Sequence, residues 1–194
     1  MRFELLERTT LYRGFFRMEK LRLRFQSYHG GWIGPIEREM FERGNAVAVL
    51  PYDPDRDEVV LIEQFRPGAL DAPSGPWLLE IVAGMVEAGE EPAEVACREA
   101  REEAGLELTC SQLIPITRYW VSPGGTTESI QLYAVRVDST RAEGLHGLTE
   151  EHEDIRVHVL PLDEALRRVK DGTICSAAPI ITLQWLALNR DMFA

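Results

Sequence analysis

Glu99, Glu102 and Glu103 stand at i, i+3 and i+4 in the stretch GMVEAGEEPAEVACREAREEAGL, residues 84–106. On a helix this spacing turns all three carboxylates to one face. Like charges so placed repel by about 0.2–0.5 kcal/mol per exposed pair. A cation held among them reverses the sign of that interaction, and carboxylate oxygens suit a hard divalent ion. The first expectation is therefore a hard-metal site built on a helix. Glu90 and Arg98 belong to the same stretch, and an ion pair between them would orient the helix and the loop before it.

The elements that must carry these groups follow from the surrounding text. Pro92 suits a first helical position, where its missing N–H is not needed. Gly105 suits the left-handed stop after Ala104. Val95, Ala96 and Ala100 supply the buried side of that helix. Upstream, NAVAVL (45–50), VVLIEQF (59–65) and WLLEIVA (77–83) read as strands, separated by a polar turn at 51–57 and a Pro/Gly-rich loop at 67–76. Downstream, strands are expected within 113–121, 130–137 and 155–160, with helices at 162–170 and 177–188. The loop SPGGTTE spans 122–128, and a long polar segment, 138–154, ends in acidic residues. Long loops in compact domains are often functional.

The first ten residues read as a lead-in. Leu21, Leu23 and Phe25 alternate with Arg22 and Arg24, and IEREMFE (36–42) alternates again. Residues 1–45 thus form a small antiparallel sheet subdomain, too small to bury much core alone. It must lean on the remaining domain, 46–194, or on a second copy of the chain. Strands, one helix, more strands and two terminal helices give an α+β class: a mixed sheet flanked by helices.

The chain has 194 residues and a net charge of −11, a field that disfavours nucleic acid and anionic membrane as partners. No apolar run reaches the roughly 18–20 residues that span a bilayer, and MRFELLERTT lacks a signal-peptide core. Cys97, Cys110 and Cys175 form no disulfide framework and no zinc spacing, which suits a reducing cytoplasm.

Residues 84–106 fit the pattern G-x5-E-x7-R-E-U-x-E-E-x-G-U, with U apolar, at Gly84, Glu90, Arg98, Glu99, Ala100, Glu102, Glu103, Gly105 and Leu106. This resembles the signature of the Nudix hydrolases at every specified position. The segments TLYRGFF (10–16), FERGNA (41–46), DEVVLIEQFR (57–66), PWLLEIVAGM (76–85), SPGGTTE and EDIRVHV (153–159) are similar to those of bacterial ADP-ribose pyrophosphatases within that superfamily. Pro123, seventeen residues past Leu106, matches the proline that marks them.

The resemblance implies a Nudix α/β/α sandwich and hydrolysis of a diphosphate, where divalent cations neutralise charge and acidify a bound water. It implies Mg2+, with Mn2+ as a substitute. The ligands would be Glu99 and Glu103, with Glu102 assisting and the Ala83 carbonyl as a further candidate. Gly84, Glu90, Arg98 and Gly105 would be structural. Arg38 and Arg66 would lie near the diphosphate or ribose, Glu39 near the ligand and Phe15 near adenine, with Pro123 and Gly124 in a substrate loop. Arg43 is open between phosphate contact and surface ion pair. Glu151 would be the base and Glu153 an extra metal contact, or the two exchanged. The implied reaction is ADP-ribose plus water giving AMP plus ribose 5-phosphate. The alternatives are another nucleoside diphosphate sugar, such as ADP-glucose or GDP-mannose, or a sensor that binds ADP-ribose without cutting it. The family further implies a homodimer with exchanged N-terminal sheets, placing Phe15 and Arg38 in the partner's site.

Overall fold

The computed structural model describes residues 1–193, and the chain divides into two compact units. The first comprises residues 1–45 and 120–129. It is a three-stranded antiparallel sheet of β1 (Phe3–Arg13), β2 (Arg17–Gln26) and β3 (Trp32–Glu42), in the order β1-β2-β3. The lead-in expected for the first ten residues is wrong: from Phe3 on they belong to β1. Register shifts between Leu5 and Glu7 and between Thr10 and Tyr12 break its alternation, so the period-two pattern never appears in the text. Cross-strand pairs fasten it, Arg24 to Glu4 at 2.8 Å and Arg8 to Glu19 at 2.7 Å. Phe3, Leu5, Leu11, Tyr12 and Phe15 remain exposed on this unit.

The 122–128 loop belongs to the same unit. Phe41 N–H donates to the Gly125 carbonyl at 2.8 Å, and Thr127 N–H returns a bond to the Phe41 carbonyl at 3.1 Å. Arg43 ion-pairs with Glu128 at 3.3 Å and lies over the Phe16 ring.

The second unit, residues 46–119 and 130–194, is built on an eight-stranded sheet. Its main path runs β10 (Leu145–His146), β11 (Ile155–Pro161), β5 (Glu58–Phe65), β4 (Asn45–Asp53), β9 (Ser129–Arg136) and β8 (Ile114–Trp120). Two further strands, β6 (Trp77–Glu80) and β7 (Val82–Val86), pair β5 and β4 respectively. β4 runs parallel to β9 and antiparallel to β5, so the sheet is mixed. Where one strand was expected over 77–83 there are two. The chain changes neighbour at Ile81, a step that no local pattern marks.

Period two explains the layers. Ala48, Leu50, Val59 and Leu61 pack on Leu162, Ala165, Leu183 and Leu186, from α2 (Leu162–Asp171) and α3 (Ala177–Leu188). Val47, Val49, Val60 and Ile62 pack on Val95, Ala96, Ala100 and Ala104, from α1 (Pro92–Ala104). Both faces are covered, which accounts for the continuous apolar runs in β4 and β5. The expected α/β/α sandwich is present in this unit.

One cysteine expectation is overturned. Cys97 and Cys110 are bonded sulfur to sulfur, with Cα atoms 6.0 Å apart, and only Cys175 is free. The chain reverses at Gly105 and brings residue 110 back beside the helix. The cysteine pattern therefore carries no argument about cellular compartment. Among the described residues, no helix is long and apolar enough to cross a membrane.

Candidate active site

Helix α1 begins at Pro92 and ends at Gly105, whose φ of 65° is left-handed. Its inner stripe includes one charged residue. Glu103 is only 2% exposed, although it lies among Ala96, Ala100 and Ala104 on the side that faces β4 and β5. The buried carboxylate accepts a hydrogen bond from Ala83 N–H at 2.9 Å, which ties the helix to β7. Burial pushes its pKa up to about 8. Glu99 and Glu153 push the same way, against the Ala83 N–H and Arg66. Glu99 is raised to about 7, again first by burial and then by Glu102, Glu153 and Glu151, with Arg98 opposing.

Gly84 explains part of this crowding. A Cβ built there would overlap the Glu99 carboxylate, so glycine is needed for close approach, and Glu99 lies directly over the backbone of β7. Arg98 lies 2.9 Å from Glu99, 3.3 Å from Glu102 and 3.9 Å from Glu90. Its nearest carboxylates are thus those of the helix face rather than Glu90, which accepts from Glu87 N–H at 2.8 Å. Arg66, at the end of β5, donates to Glu80 at 2.7 Å and is felt by Glu103.

The long segment 138–154 brings its acidic end to the same face. Glu151 ends a short 3-10 turn, Thr149–Glu151, and His152 follows with a left-handed φ of 57°. Glu153 accepts weakly from Leu148 N–H at 3.4 Å. The charges of both residues act on Glu99, and that of Glu153 acts on Glu103 as well.

The second unit therefore brings together Ala83, Gly84, Glu90, Arg98, Glu99, Glu102, Glu103, Gly105, Arg66, Glu151 and Glu153. Phe15, Arg38, Glu39, Pro123 and Gly124 belong to the first unit. There Phe15 is 88% exposed and edge-on to Phe16, and Arg38 donates to the Glu37 carbonyl at 2.7 Å. Among the described residues, no three His, Cys, Asp or Glu side chains converge into a ready coordination cluster. Arg98 holds Glu99 and Glu102 in ion pairs, and Glu103 is bonded to Ala83. The donor set nevertheless fits a hard cation: two carboxylates with raised pKa values share one face, over a glycine that leaves room for no side chain.

Sequence reasoning passed over Gln64. It is 5% exposed, and its amide nitrogen has no hydrogen-bond partner among the described residues. Alternation along β5 turns it to the side of Val60 and Ile62, the face that α1 covers. A polar residue in an apolar strand was the only available signal. Buried polar groups without a partner are rare and point to something that satisfies them.

Comparison with known proteins adds relatives to this geometry. A NUDIX domain model matches residues 42–178. The chain is 50% identical over 186 residues to the ADP-ribose pyrophosphatase of Escherichia coli (strain K12), covering 96% of this chain and 88% of that protein. It is 46% identical over 189 residues to the ADP-ribose pyrophosphatase of Haemophilus influenzae, covering 96% and 86%. Identity to the GDP-mannose pyrophosphatase of Cronobacter sakazakii is 35% over 154 residues, covering 79% and 78%.

Proposed function

The chain belongs to the NUDIX family, and from that premise we propose that it hydrolyses ADP-ribose to AMP and ribose 5-phosphate with a divalent cation, Mg2+ in the cell. The observation that carries the reading is Glu103, a buried carboxylate held beside Glu99 over the backbone of β7. A helix needs no such residue for stability, since burying a carboxylate is costly unless a cation compensates it. Identity of 50% to a named ADP-ribose pyrophosphatase, against 35% to a GDP-mannose pyrophosphatase, favours ADP-ribose as the substrate.

Glu99, Glu103 and Glu102 would hold the metal, with the Ala83 carbonyl as a further ligand. Bound there, a divalent cation would neutralise diphosphate charge and make water more acidic. The chain's own groups do the rest. Arg66 offers a guanidinium fork to phosphate oxygen. Glu151 takes the proton of the attacking water, and Glu153, whose charge reaches both Glu99 and Glu103, holds the loop end against the metal face. Glu90 and Arg98 keep the helix and its preceding loop in place. Phe15, Arg38, Glu39, Pro123 and Gly124 bind the nucleoside and ribose ends from the N-terminal subdomain, 1–45, and its associated loop. In a homodimer with exchanged sheets they would come from the partner copy. The apolar side chains exposed on that sheet support such a partner. The working compartment would be the cytoplasm.

The test is a substrate panel. ADP-ribose, ADP-glucose and GDP-mannose are compared by kcat/KM, with Mg2+ and with EDTA. ADP-ribose should lead, and EDTA should abolish turnover. A lead for GDP-mannose would reassign the substrate while keeping the metal helix. Tight ADP-ribose binding without turnover would make the protein a sensor.

A further inference from the structure

The water-activating carboxylates sit in a segment with little regular structure, yet their work requires placement to a fraction of an ångström. Something must set their distance from α1. The helix ends in a left-handed cap, in which Gly105 N–H donates to the Arg101 carbonyl at 3.1 Å and Leu106 N–H to the Ala100 carbonyl at 3.0 Å. These bonds leave the Glu102 carbonyl, one of the last four of the helix, without a partner from the cap itself. Gly147 supplies it, its N–H donating to the Glu102 carbonyl at 3.2 Å. The acidic segment thus helps to cap the metal-binding helix.

The residue before Gly147 makes the second contact. A Cβ built on Gly105 would come within 2.7 Å of His146 Cε1, so the imidazole rests directly on the backbone of the helix cap. His146 Nε2, adjacent to Cε1 in the ring, lies 2.8 Å from the Glu143 carbonyl, which holds that edge of the ring in place. The backbone of His146 pairs with Ile155 of β11, which is fully buried. On the far side of Gly147 the chain turns at φ +100° and meets the catalytic loop. A Cβ on Gly147 would fall 2.8 Å from Glu153 Cβ, while the N–H groups of Glu151 and Glu153 both donate to the Leu148 carbonyl, at 3.0 and 3.2 Å.

We propose that His146 and Gly147 form a clasp between the end of α1 and the 148–153 loop, with His146 as the positioning residue that sets Glu151 and Glu153 against Glu99 and Glu103. The proposal rests on the hydrolase reading above and adds to it a part that touches neither metal nor substrate. Bonding to a carbonyl requires His146 to carry a proton on Nε2, so the ring acts as a strut of fixed orientation. Gly105 and Gly147 are then glycines for two reasons: each has a positive φ, and each lets a neighbouring group pack against its backbone.

His146→Ala removes the strut, and His146→Gln restores a donor at the reach of Nε2. In the alanine variant kcat for ADP-ribose should fall about 10- to 100-fold, the usual scale for losing an orienting partner. KM should stay within about twofold, because the substrate-binding groups are untouched. The glutamine variant should recover most of the loss. Gly105→Ala, which drives a methyl into the ring, should reproduce the kcat defect in protein that still binds Mn2+. Wild-type kcat in His146→Ala, or a raised KM with unchanged kcat, overturns the proposal. Hydrogen exchange reads the clasp without substrate: the amides of Gly147, Glu151 and Glu153 should exchange at least about tenfold faster in His146→Ala. Unchanged protection overturns the clasp whatever the substrate. Wild-type protein inert toward ADP-ribose would overturn the substrate reading instead, and the exchange rates would then decide the clasp.

Discussion

Glu103 is the most deeply buried carboxylate of the candidate site. Its carboxyl accepts a hydrogen bond from Ala83 N–H, and burial pushes its pKa up to about 8. Glu103→Gln keeps the shape and an acceptor for Ala83 N–H but removes the charge. At saturating Mg2+ its kcat/KM should fall by more than about 100-fold, beyond what loss of an outer partner costs. Stopped assays at several Mg2+ concentrations check this, and near-native turnover would remove Glu103 from the metal site. The same residue sets a pH dependence. Folded pKa values of about 7 for Glu99 and about 8 for Glu103 lie above the usual carboxylate range, so the folded state holds more protons than the unfolded one between pH 4.5 and 8. Stability from this source is therefore fully present below about pH 4.5 and is lost as pH rises to about 8. In EDTA the melting temperature should fall across that interval. Mg2+ should reverse the fall at pH 8, and Glu103→Gln should flatten it. Glu151→Gln should bind ADP-ribose with unchanged KM and turn it over slowly. If Glu153→Gln instead has that profile, the two roles are exchanged.

At the scale of elements, β7 and α1 are held together at the candidate site. Ala83 bonds Glu103, and Gly84 leaves space for Glu99. Gly84→Ala should displace the Glu99 carboxylate and weaken Mn2+ binding about 10- to 100-fold. Thermal unfolding should change little by comparison, since the strand pairing of β7 needs no glycine φ. Titration of Mn2+ by paramagnetic resonance measures the effect. Unaltered affinity would mean that Glu99 is not a ligand. Much of this layer was legible in the text. Pro92 and Gly105 marked the helix, and continuous apolar runs within 45–50 and 59–65 marked two core strands. The first strand was not legible, because two register shifts destroy its period. Nor was the break at Ile81, which reflects a change of pairing partner rather than any local preference. The same holds for the Cys97–Cys110 bond, which depends on a chain reversal that spacing alone does not reveal.

At the scale of the molecule, the proposed homodimer would place Phe15 and Arg38 in the partner's site. Mixing subunits tests the exchange directly. If Arg38 serves the partner's site, Arg38→Ala and Glu103→Gln homodimers are both inactive, yet their heterodimer contains one intact site. After equilibration of equal amounts, about 25% of wild-type activity should return, since half the dimers are mixed and each has one working site of two. No recovery after verified exchange would place Arg38 in the site of its own chain. Sedimentation at assay concentration should show a dimer, and a fully active monomer would exclude the arrangement.

The sequence by itself determined which groups are available and which way they point along one helix. Glu99, Glu102 and Glu103 share a face because helical geometry turns spacing into direction, a relation that holds wherever the helix is packed. Tertiary structure alone decided what those groups are worth. It buried Glu103, laid Glu99 over Gly84, gave Arg98 to Glu99 and Glu102, left the Gln64 amide nitrogen without a partner among the described residues and bonded Gly147 N–H to the Glu102 carbonyl at the helix end. Desolvation and long-range contacts arise between segments far apart in the chain. No local pattern encodes them, so the burial of the site's carboxylates and the placement of the 148–153 loop emerge only on folding.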